Sequence, residues 1–358
     1  GKIDFFNAIY GRMDNERGLA IDNMPGMASP IAPWLKTVGA FKKEVKLPVF
    51  HAARISDIST ARYAIGEGLL DLVAMTRAHI ADPHIVRKLT QGQEKRIRPC
   101  VGATHCMTAF RPRCLHNAAS GQENALPHVA KPDRHTGKKV VVVGGGPAGL
   151  EAARICGERG HNVVLFEAAV ALGGQLRIAA GSLRKDLIGI VDWRVAELEE
   201  LSVNVRLNTF AEAEDVLDEA PEIVIVATGG VPDIDWIDGA DLCTTSWDVL
   251  SKGVSLGDEV IVYDGTGRNP GIACAELVAR MGKSVTLVAI DGSFGPEMTY
   301  SERVSWKQRQ YELNIPVKLD LQMTRVYRNA NKLTATFVNE MTHQPVDMQA
   351  DQIIVERG

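Results

Sequence analysis

The sequence predicts an α/β protein in which parallel strands alternate with helices. Two observations carry this prediction. Strand and helix patterns alternate in three consecutive units over residues 1–99, and βαβ patterns recur over residues 138–168 and 258–291. Because a helix between two strands returns the chain to the same end of the sheet, such units give parallel strands.

The three units at the start of the chain fit either the end of a (β/α)8 barrel or part of a doubly wound sheet. Ala53-Arg54 and Thr76-Arg77 lie at the C-terminal ends of the second and third predicted strands, where barrels commonly bind phosphate. The alternative is that both arginines form surface ion pairs. His51 lies at the end of the second strand; it could face a cofactor bound at the strand ends, but we expect a packed strand histidine there. The predicted strands are IDFFNAIYG, KLPVFHAARI and LLDLVAMTRAHI, and the predicted helices PWLKTVGAFKKEV, ISTARYAIGEGLL and DPHIVRKLTQG.

A dinucleotide-binding turn follows a buried strand at Val140 to Val143. Gly144, Gly146 and Gly149 have G-x-G-x-x-G spacing, a helix pattern starts at once, and the next strand ends on Glu167. The glycines allow the tight turn, the close approach of a pyrophosphate, and the packing of helix against strand. The helix N-terminus favours phosphate, and the acid can accept hydrogen bonds from a ribose. We expect the nucleotide to contact Gly144, Gly146, Pro147, Ala148, Gly149 and Glu167.

Composition bounds the class of protein. The 358 residues are 45% apolar and 23% charged, as in ordinary globular proteins, and predict two or three domains. A net charge of −4 gives no reason to expect a nucleic acid or an anionic membrane as partner. No apolar run approaches the ~20 residues that a membrane span needs, and no signal peptide is recognisable, so the expected location is the cytoplasm.

The end of the first segment resembles the old yellow enzyme family. In that family a Gly-Arg or Ala-Arg step is followed by I-A-D-P, and Arg77 with Ile80–Pro83 matches this signature, although Thr76 replaces the small residue. The resemblance implies a flavin barrel in which Arg77 binds the FMN phosphate and backbone around Ala53 and Arg54 closes the site. It also implies that the first five barrel units are absent, so that the chain is a fragment or is paired with the missing barrel half.

Three cysteines follow the barrel segment at short spacing. Cys100, Cys106 and Cys114 suit the thiolate ligands of an iron–sulfur cluster, and they fall on three of the four cluster positions of the larger family members. Ala103 stands where the second cysteine is expected, and His105 could replace it. A three-iron or lost cluster, three structural thiols and a zinc site are the alternatives. The tail of the motif matches at Asn117, Gly121 and Glu123.

Two later glycine turns support a flavin nucleotide. Gly174-Gln175 resembles the turn that approaches the flavin end of FAD in two-dinucleotide flavoproteins, and Thr228-Gly229 resembles the turn that packs against the same nucleotide. The resemblance therefore implies FAD, or ADP as a relic.

In the second βαβ pattern, Asp264 takes the place of the first glycine, and a carboxylate there repels phosphate. A shifted reading, with Gly265 and Gly267 as the glycines, would still permit NAD(P)H.

The order of these segments resembles the trimethylamine and dimethylamine dehydrogenase and N-demethylase branch, which is related to 2,4-dienoyl-CoA reductase. The resemblance implies oxidation or N-demethylation of a small amine at FMN, with electrons passing through a 4Fe–4S cluster to an electron-transfer partner protein. The alternatives are an NAD(P)H-dependent enoate or dienoyl-CoA reductase and a non-catalytic nucleotide-binding or electron-transfer subunit. The chain is also expected to form a homo-oligomer unless it pairs with the missing barrel half.

The expected fold is thus the C-terminal part of a (β/α)8 flavin barrel followed by two Rossmann-like domains, one inserted in the other. Catalytic residues cannot be assigned, since the substrate-binding strands would lie in the absent units. The expected segments are the barrel units at 1–99, the cysteine segment and linker at 100–135, the first FAD/ADP-binding part at 136–252, the inserted NAD(P)-binding-like domain at 253–349, and a strand returning to the FAD/ADP-binding domain at 350–358.

Overall fold

The computed structural model describes residues 2–108, 111–135, 137–233 and 235–357. The chain forms two compact units. The first contains residues 1–177, 186–229 and 300–302, and the second contains residues 178–185, 230–299 and 303–358.

The first unit begins with a parallel sheet of three short strands in the order β1-β2-β3. Helices of the barrel segment pack on this sheet through an apolar cluster that includes Leu35, Val49 and Leu70. The elements are β1 Phe6–Asn7, α1 Leu35–Glu44, β2 Val49–His51, α2 Ile58–Gly66, β3 Leu72–Val73, α3 Thr76–Ala81 and α4 Ile85–Thr90.

The third predicted strand was too long. The strand ends at Val73, and residues 76–81 form helix α3, whose Ala78 and Ala81 are both buried. A spacing of three residues between buried positions is that of one helix face, not of a strand.

A second parallel sheet in the first unit has the order β6-β5-β4-β7. Val140, Val141 and Val142 in its centre are fully buried, as their β-branched run predicts. Leu150 and Ala153 of the following helix pack on this sheet. The elements are β4 Lys139–Val143, α5 Pro147–Glu158, β5 Asn162–Phe166, α6 Gln175–Ala180, α7 Ile188–Glu200, β6 Asn204–Arg206, α8 Ala213–Asp218 and β7 Ile223–Val226. Of α6, residues 175–177 belong to this unit.

The second unit contains a five-stranded parallel sheet and a three-stranded antiparallel sheet. Their strand orders are β11-β10-β9-β15-β8 and β12-β13-β14. The elements are β8 Thr244–Thr245, α9 Ser246–Leu250, β9 Glu259–Asp264, α10 Asn269–Arg280, β10 Ser284–Ala289, α11 Tyr300–Glu312, β11 Val317–Lys318, β12 Leu321–Asn329, β13 Lys332–Asn339, β14 Pro345–Ala350 and β15 Gln352–Glu356. Of α11, residues 303–312 belong to this unit.

The structure corrects the expectation for residues 350–358. Strand β15 does not return to the sheet of the first unit but lies between β9 and β8, with Ile354 opposite Val262. Ile353 and Val355 are buried on one face of this strand and Ile354 on the other, as in a central strand that is covered on both sides. Because β8 and α9 also belong to the second unit, this unit begins before residue 253.

No helix in the described part of the chain has the length and apolar run that crossing a bilayer requires.

Candidate functional site

The first glycine turn leaves one side open to a ligand. A Cβ added to Gly144, whose φ is +103°, would lie 2.4 Å from the carbonyl oxygen of Ala227, and one added to Gly149 would lie 1.8 Å from that of Gly144. These two glycines are therefore required by packing. A Cβ on Gly146, in contrast, would meet no described atom within 4 Å. This is the division of roles that a dinucleotide turn needs.

The helix behind this turn begins directly at the predicted contact residues. Gly146 is the N-cap of α5, with Pro147 and Ala148 as the first two residues of this twelve-residue helix. Proline suits this position because its missing N–H would have no partner inside the helix. The remaining N–H groups of the first turn are available to an anion.

Glu167 is held against the glycine turn. Its two carboxylate oxygens accept hydrogen bonds from the backbone N–H groups of Gly145, at 2.7 Å, and Ala169, at 2.8 Å. The side chain lies at the end of β5, next to the first glycines of the motif, rather than in bulk water. Its position therefore suits contact with the sugar of a nucleotide on this turn.

Two further predicted turns lie beside the first. Gly174, with φ of +48°, lies so close that an added Cβ would be 3.1 Å from the Cα of Gly146. Gly229, with φ of +76°, lies near the side-chain amide of Gln175, and Thr228 precedes it. The structure thus brings together three stretches that are far apart in sequence, and all three belong to the first unit.

The predicted phosphate-binding residues of the barrel segment line one cavity of about 310 Å³. Ala53 and Arg54 have φ values of +89° and +54°, an uncommon backbone for residues other than glycine that often marks a ligand site. Nη2 of Arg77 donates to the carbonyl of Pro25 at 2.9 Å, and the buried Nη1 has no partner among the described residues. The cavity is lined by Ala53, Arg54, Thr76 and Arg77, together with Cys100 and Cys106.

The side chain of Arg54 is bound by other groups of the protein. Its guanidinium donates to the carbonyl of Gly26 at 2.6 Å and forms an ion pair with Asp186, and its side chain is only 5% exposed. Arg54 therefore forms an ion pair, but its guanidinium is buried, so this is not the surface ion pair of the alternative. Asp186 lies 132 positions away, and no local pattern marked it as a partner.

Cys100 and Cys106 line the same cavity, but the described residues do not place the three predicted cluster cysteines as a metal site. Across the described ranges, no group of three Cys, His, Asp or Glu side chains is placed to hold a metal ion. Burial raises the pKa of Cys100 and raises that of Cys106 to about 11, so both thiols hold their protons at neutral pH. Cys114 accepts the N–H of His116 at 3.3 Å, and Ala103 is buried. A 4Fe–4S cluster normally takes four thiolate ligands, and Ala103 leaves this motif with three, so the donor set does not fit one.

The tail of the cysteine motif and His51 have structural contacts. Asn117 is buried and donates to the carbonyl of Ile80 at 3.0 Å, while Glu123 accepts the N–H of Gly121 at 2.9 Å. His51 is fully buried and its Nδ1 lies 2.7 Å from the carbonyl of Ala8, as expected of a packed strand histidine. His105 is exposed on a short 3-10 turn.

In the second unit, the turn after β9 is closed by its own acid. Oδ1 of Asp264 accepts the N–H groups of Thr266, at 3.1 Å, and Gly267, at 2.9 Å. These are the donors that a phosphate would use, and Asp264 is fully buried. Glu356 lies opposite Asp264 in the neighbouring strand and accepts the hydroxyl of Ser246. Burial raises the pKa of both acids. The charge of Asp264 also raises the pKa of Glu356, and that of Asp291 raises the pKa of Asp264.

This acid pair predicts a pH-dependent stability. A carboxyl with a raised pKa binds its proton more tightly in the folded than in the unfolded chain. Its contribution to the free energy of unfolding therefore falls as the pH rises from its pKa in the unfolded chain to its pKa in the folded chain. We therefore expect Asp264→Asn to raise the free energy of unfolding at about pH 8, with the gain disappearing by about pH 4. Thermal unfolding across this range measures it, with exposed Asp235→Asn as the control. A gain that is equal at both pH values would contradict the prediction.

Comparison with known proteins covers the whole chain. Residues 138–358 match the pyridine nucleotide-disulphide oxidoreductase family. The chain is 48% identical to the "Multifunctional alkene reductase/demethylase OYE" of Caballeronia cordobensis and 40% identical to the "Probable N-methylproline demethylase" of Rhizobium meliloti (strain 1021). Each alignment includes 100% of this chain and 53% of the relative, so the chain spans about half the length of these relatives.

The fold is also similar to that of a solved amine oxidase. The structure of 6-hydroxypseudooxynicotine amine oxidase from Pseudomonas geniculata N1 matches with a TM-score of 0.86 and 27% identity, over 94% of this chain and 53% of that one. These similarities confirm the predicted resemblance to the flavin-dependent demethylases and amine dehydrogenases.

Proposed function

Because the chain belongs to the pyridine nucleotide-disulphide oxidoreductase family, we propose that it is the nucleotide-binding part of a flavin-dependent oxidoreductase that oxidises or N-demethylates a small amine. The observation that carries this proposal is the pairing of two fitted sites in one unit, the cavity at Arg77 and the glycine turn at Gly144. The demethylase and amine oxidase similarities support the choice of an amine as substrate.

FMN would occupy the barrel cavity and FAD, or ADP, the glycine turn. The unpartnered Nη1 of Arg77 suits a phosphate oxygen, and the open side of Gly146 suits a pyrophosphate. When bound, FMN supplies the group that accepts a pair of electrons from the substrate. The residues of this chain bind and orient the cofactors: Arg77 fixes a phosphate, the α5 N-terminus neutralises another, and Glu167 holds a sugar.

We propose that electrons leave the enzyme towards an external electron-transfer partner rather than enter from NAD(P)H. Asp264 supports this direction, since its carboxylate takes up the N–H groups of the second nucleotide turn and adds negative charge where phosphate would lie. No step is assigned to a 4Fe–4S cluster, because the three cysteines do not fit one. A cytoplasmic location and a homo-oligomeric state belong to the same proposal.

Two alternatives are separated from this proposal by one experiment. The name of the Caballeronia relative includes alkene reduction, which favours an NAD(P)H-dependent reductase as the second candidate. The flavin-loaded protein is mixed without oxygen with an N-methylated amine such as N-methylproline, and separately with NADH or NADPH. Bleaching of the flavin absorbance by the amine and not by the nucleotides is expected. Rapid bleaching by NADPH alone would overturn the proposed direction, and a protein that retains no FMN would indicate a non-catalytic subunit.

A further inference from the structure

A second, smaller cavity lies in the first unit, away from both flavin positions. It has a volume of about 160 Å³ and shares no lining residue with the cavity at Arg77. Trp193 of α7 lines it, as do charged side chains from the barrel segment, α5 and α7. We name it the Arg98 cavity. Its charged lining residues are Asp82, Arg87, Lys88, Arg96, Arg98, Arg154, Glu158 and Glu197.

The carboxylates of this cavity are already paired. Lys88 lies 2.7 Å from Asp82, and Arg154 lies 2.9 Å from Glu158. Arg96 holds Glu197 through two hydrogen bonds of 2.9 and 2.7 Å. Five cations against three carboxylates leave an excess of two positive charges, carried by Arg87 and Arg98.

Arg98 is the buried member of that pair. It is 7% exposed, and its Nε has no partner among the residues that the structure describes. Nη1 makes one long contact of 3.4 Å to the carbonyl of Ala81. The guanidinium carbon of Arg98 lies 4.6 Å from the ring centre of Trp193, and that of Arg154 lies 5.5 Å from the same ring centre.

A buried guanidinium beside another guanidinium needs an anion. Removing a charge from water is unfavourable unless a counter-charge and hydrogen bonds replace the solvent, and across the described ranges no carboxylate forms an ion pair with Arg98. The planar fork of a guanidinium matches two oxygens of a phosphate or carboxylate. Since one water takes about 30 Å³ of liquid volume, this cavity has room for an ion of phosphate size.

We propose that the Arg98 cavity binds a small oxyanion through the guanidinium of Arg98, with Arg87 contributing positive charge at its rim. This site is independent of the proposed amine oxidation, because it is distinct from the positions assigned to FMN and FAD. Phosphate, sulfate and a small carboxylate share the chemistry that the site recognises.

The test is thermal unfolding of the intact, flavin-loaded protein, in which the cofactor phosphates already fill the other anion sites. Sodium phosphate is titrated at constant ionic strength against sodium chloride, with sulfate and acetate as parallel titrations. At about ten times the dissociation constant, the unfolding temperature is expected to rise by about 2–4 °C. A larger effect of phosphate and sulfate identifies a tetrahedral oxyanion, and a larger effect of acetate identifies a carboxylate.

Arg98→Gln should abolish this rise, whereas Arg62→Gln, which removes an exposed arginine on α2, should retain it. In chloride alone, Arg98→Gln should unfold at or above the temperature of the parent, because the unpaired buried charge is gone. Independently of that variant, crystals soaked in selenate should show an anomalous peak within hydrogen-bonding distance of Arg98. Equal effects of all salts, an unchanged rise in Arg98→Gln, or selenate absent from this cavity would each overturn the proposal.

Discussion

Replacing Arg77 with glutamine is expected to weaken FMN binding by about 10- to 150-fold while leaving the fold intact. The variant removes a charged donor whose Nη1 is buried and has no partner within the described residues, and hydrogen bonds to charged groups contribute about 1.5–3 kcal/mol. Among the described residues, one hydrogen bond to protein, to the carbonyl of Pro25, is lost with it. FMN released by denaturing the purified variant, per mole of chain, measures the effect.

The control for this experiment is Arg62→Gln, which neutralises an exposed arginine in the same barrel segment. It should retain FMN as the parent does. If Arg77→Gln also retained one FMN per chain at low free FMN, the assignment of the barrel cavity as a flavin phosphate site would be wrong. FAD content should stay unchanged in both variants, because the glycine turn is a separate site.

Two alanine substitutions in the glycine turn should have opposite effects. Gly149→Ala places a methyl group 1.8 Å from a backbone carbonyl, so we expect it to lower the free energy of unfolding by about 3 kcal/mol or more. Gly146→Ala has space and an extended backbone with φ of −72°, so it should fold with a loss of about 1 kcal/mol, the cost of alanine at an N-cap. Its methyl group would occupy the side open to a pyrophosphate, and FAD binding should weaken about 10- to 100-fold.

Chemical unfolding of the cofactor-free proteins and titration with FAD separate the two effects. The contrast is informative because the residues are three positions apart and the substitution is the same. If Gly146→Ala bound FAD like the parent, the nucleotide would not lie on the open side of this turn. If Gly149→Ala were as stable as the parent, the turn would be looser than the structure shows.

The parts of the fold that could be predicted from sequence depend on local geometry. The valine run at residues 140–143, the glycine spacing after it and the acid at Glu167 each restrict the backbone or its burial within a few residues. The structure accordingly places Gly144, Gly149 and Glu167 around one turn. Asp264 was also identified as an obstacle to phosphate from its position at a strand end, and the structure shows the carboxylate using the turn's N–H groups.

The predictions that failed required knowledge of distant partners. The apolar run at residues 353–355 indicates a buried strand but does not specify its neighbour, so the return to the first sheet was wrong. The segment Thr76–Ala81 follows β3 with further apolar residues, so the sequence pattern does not indicate that a helix begins there. Asp186 lies beside Arg54, and Arg98 packs on Trp193, although the partners in each pair are 95 or more positions apart in sequence. No local sequence pattern indicates either contact.

The adenine nucleotide content of the protein tests the central claim most directly. The claim is that the glycine turn at Gly144 holds an adenosine diphosphate moiety with Glu167 at its sugar. Denaturing the purified protein and separating the released nucleotides should give one mole of FAD, or of ADP, per mole of chain. A folded protein that releases neither, and takes up neither when each is added, would contradict the assignment of this turn and the flavoprotein proposal with it.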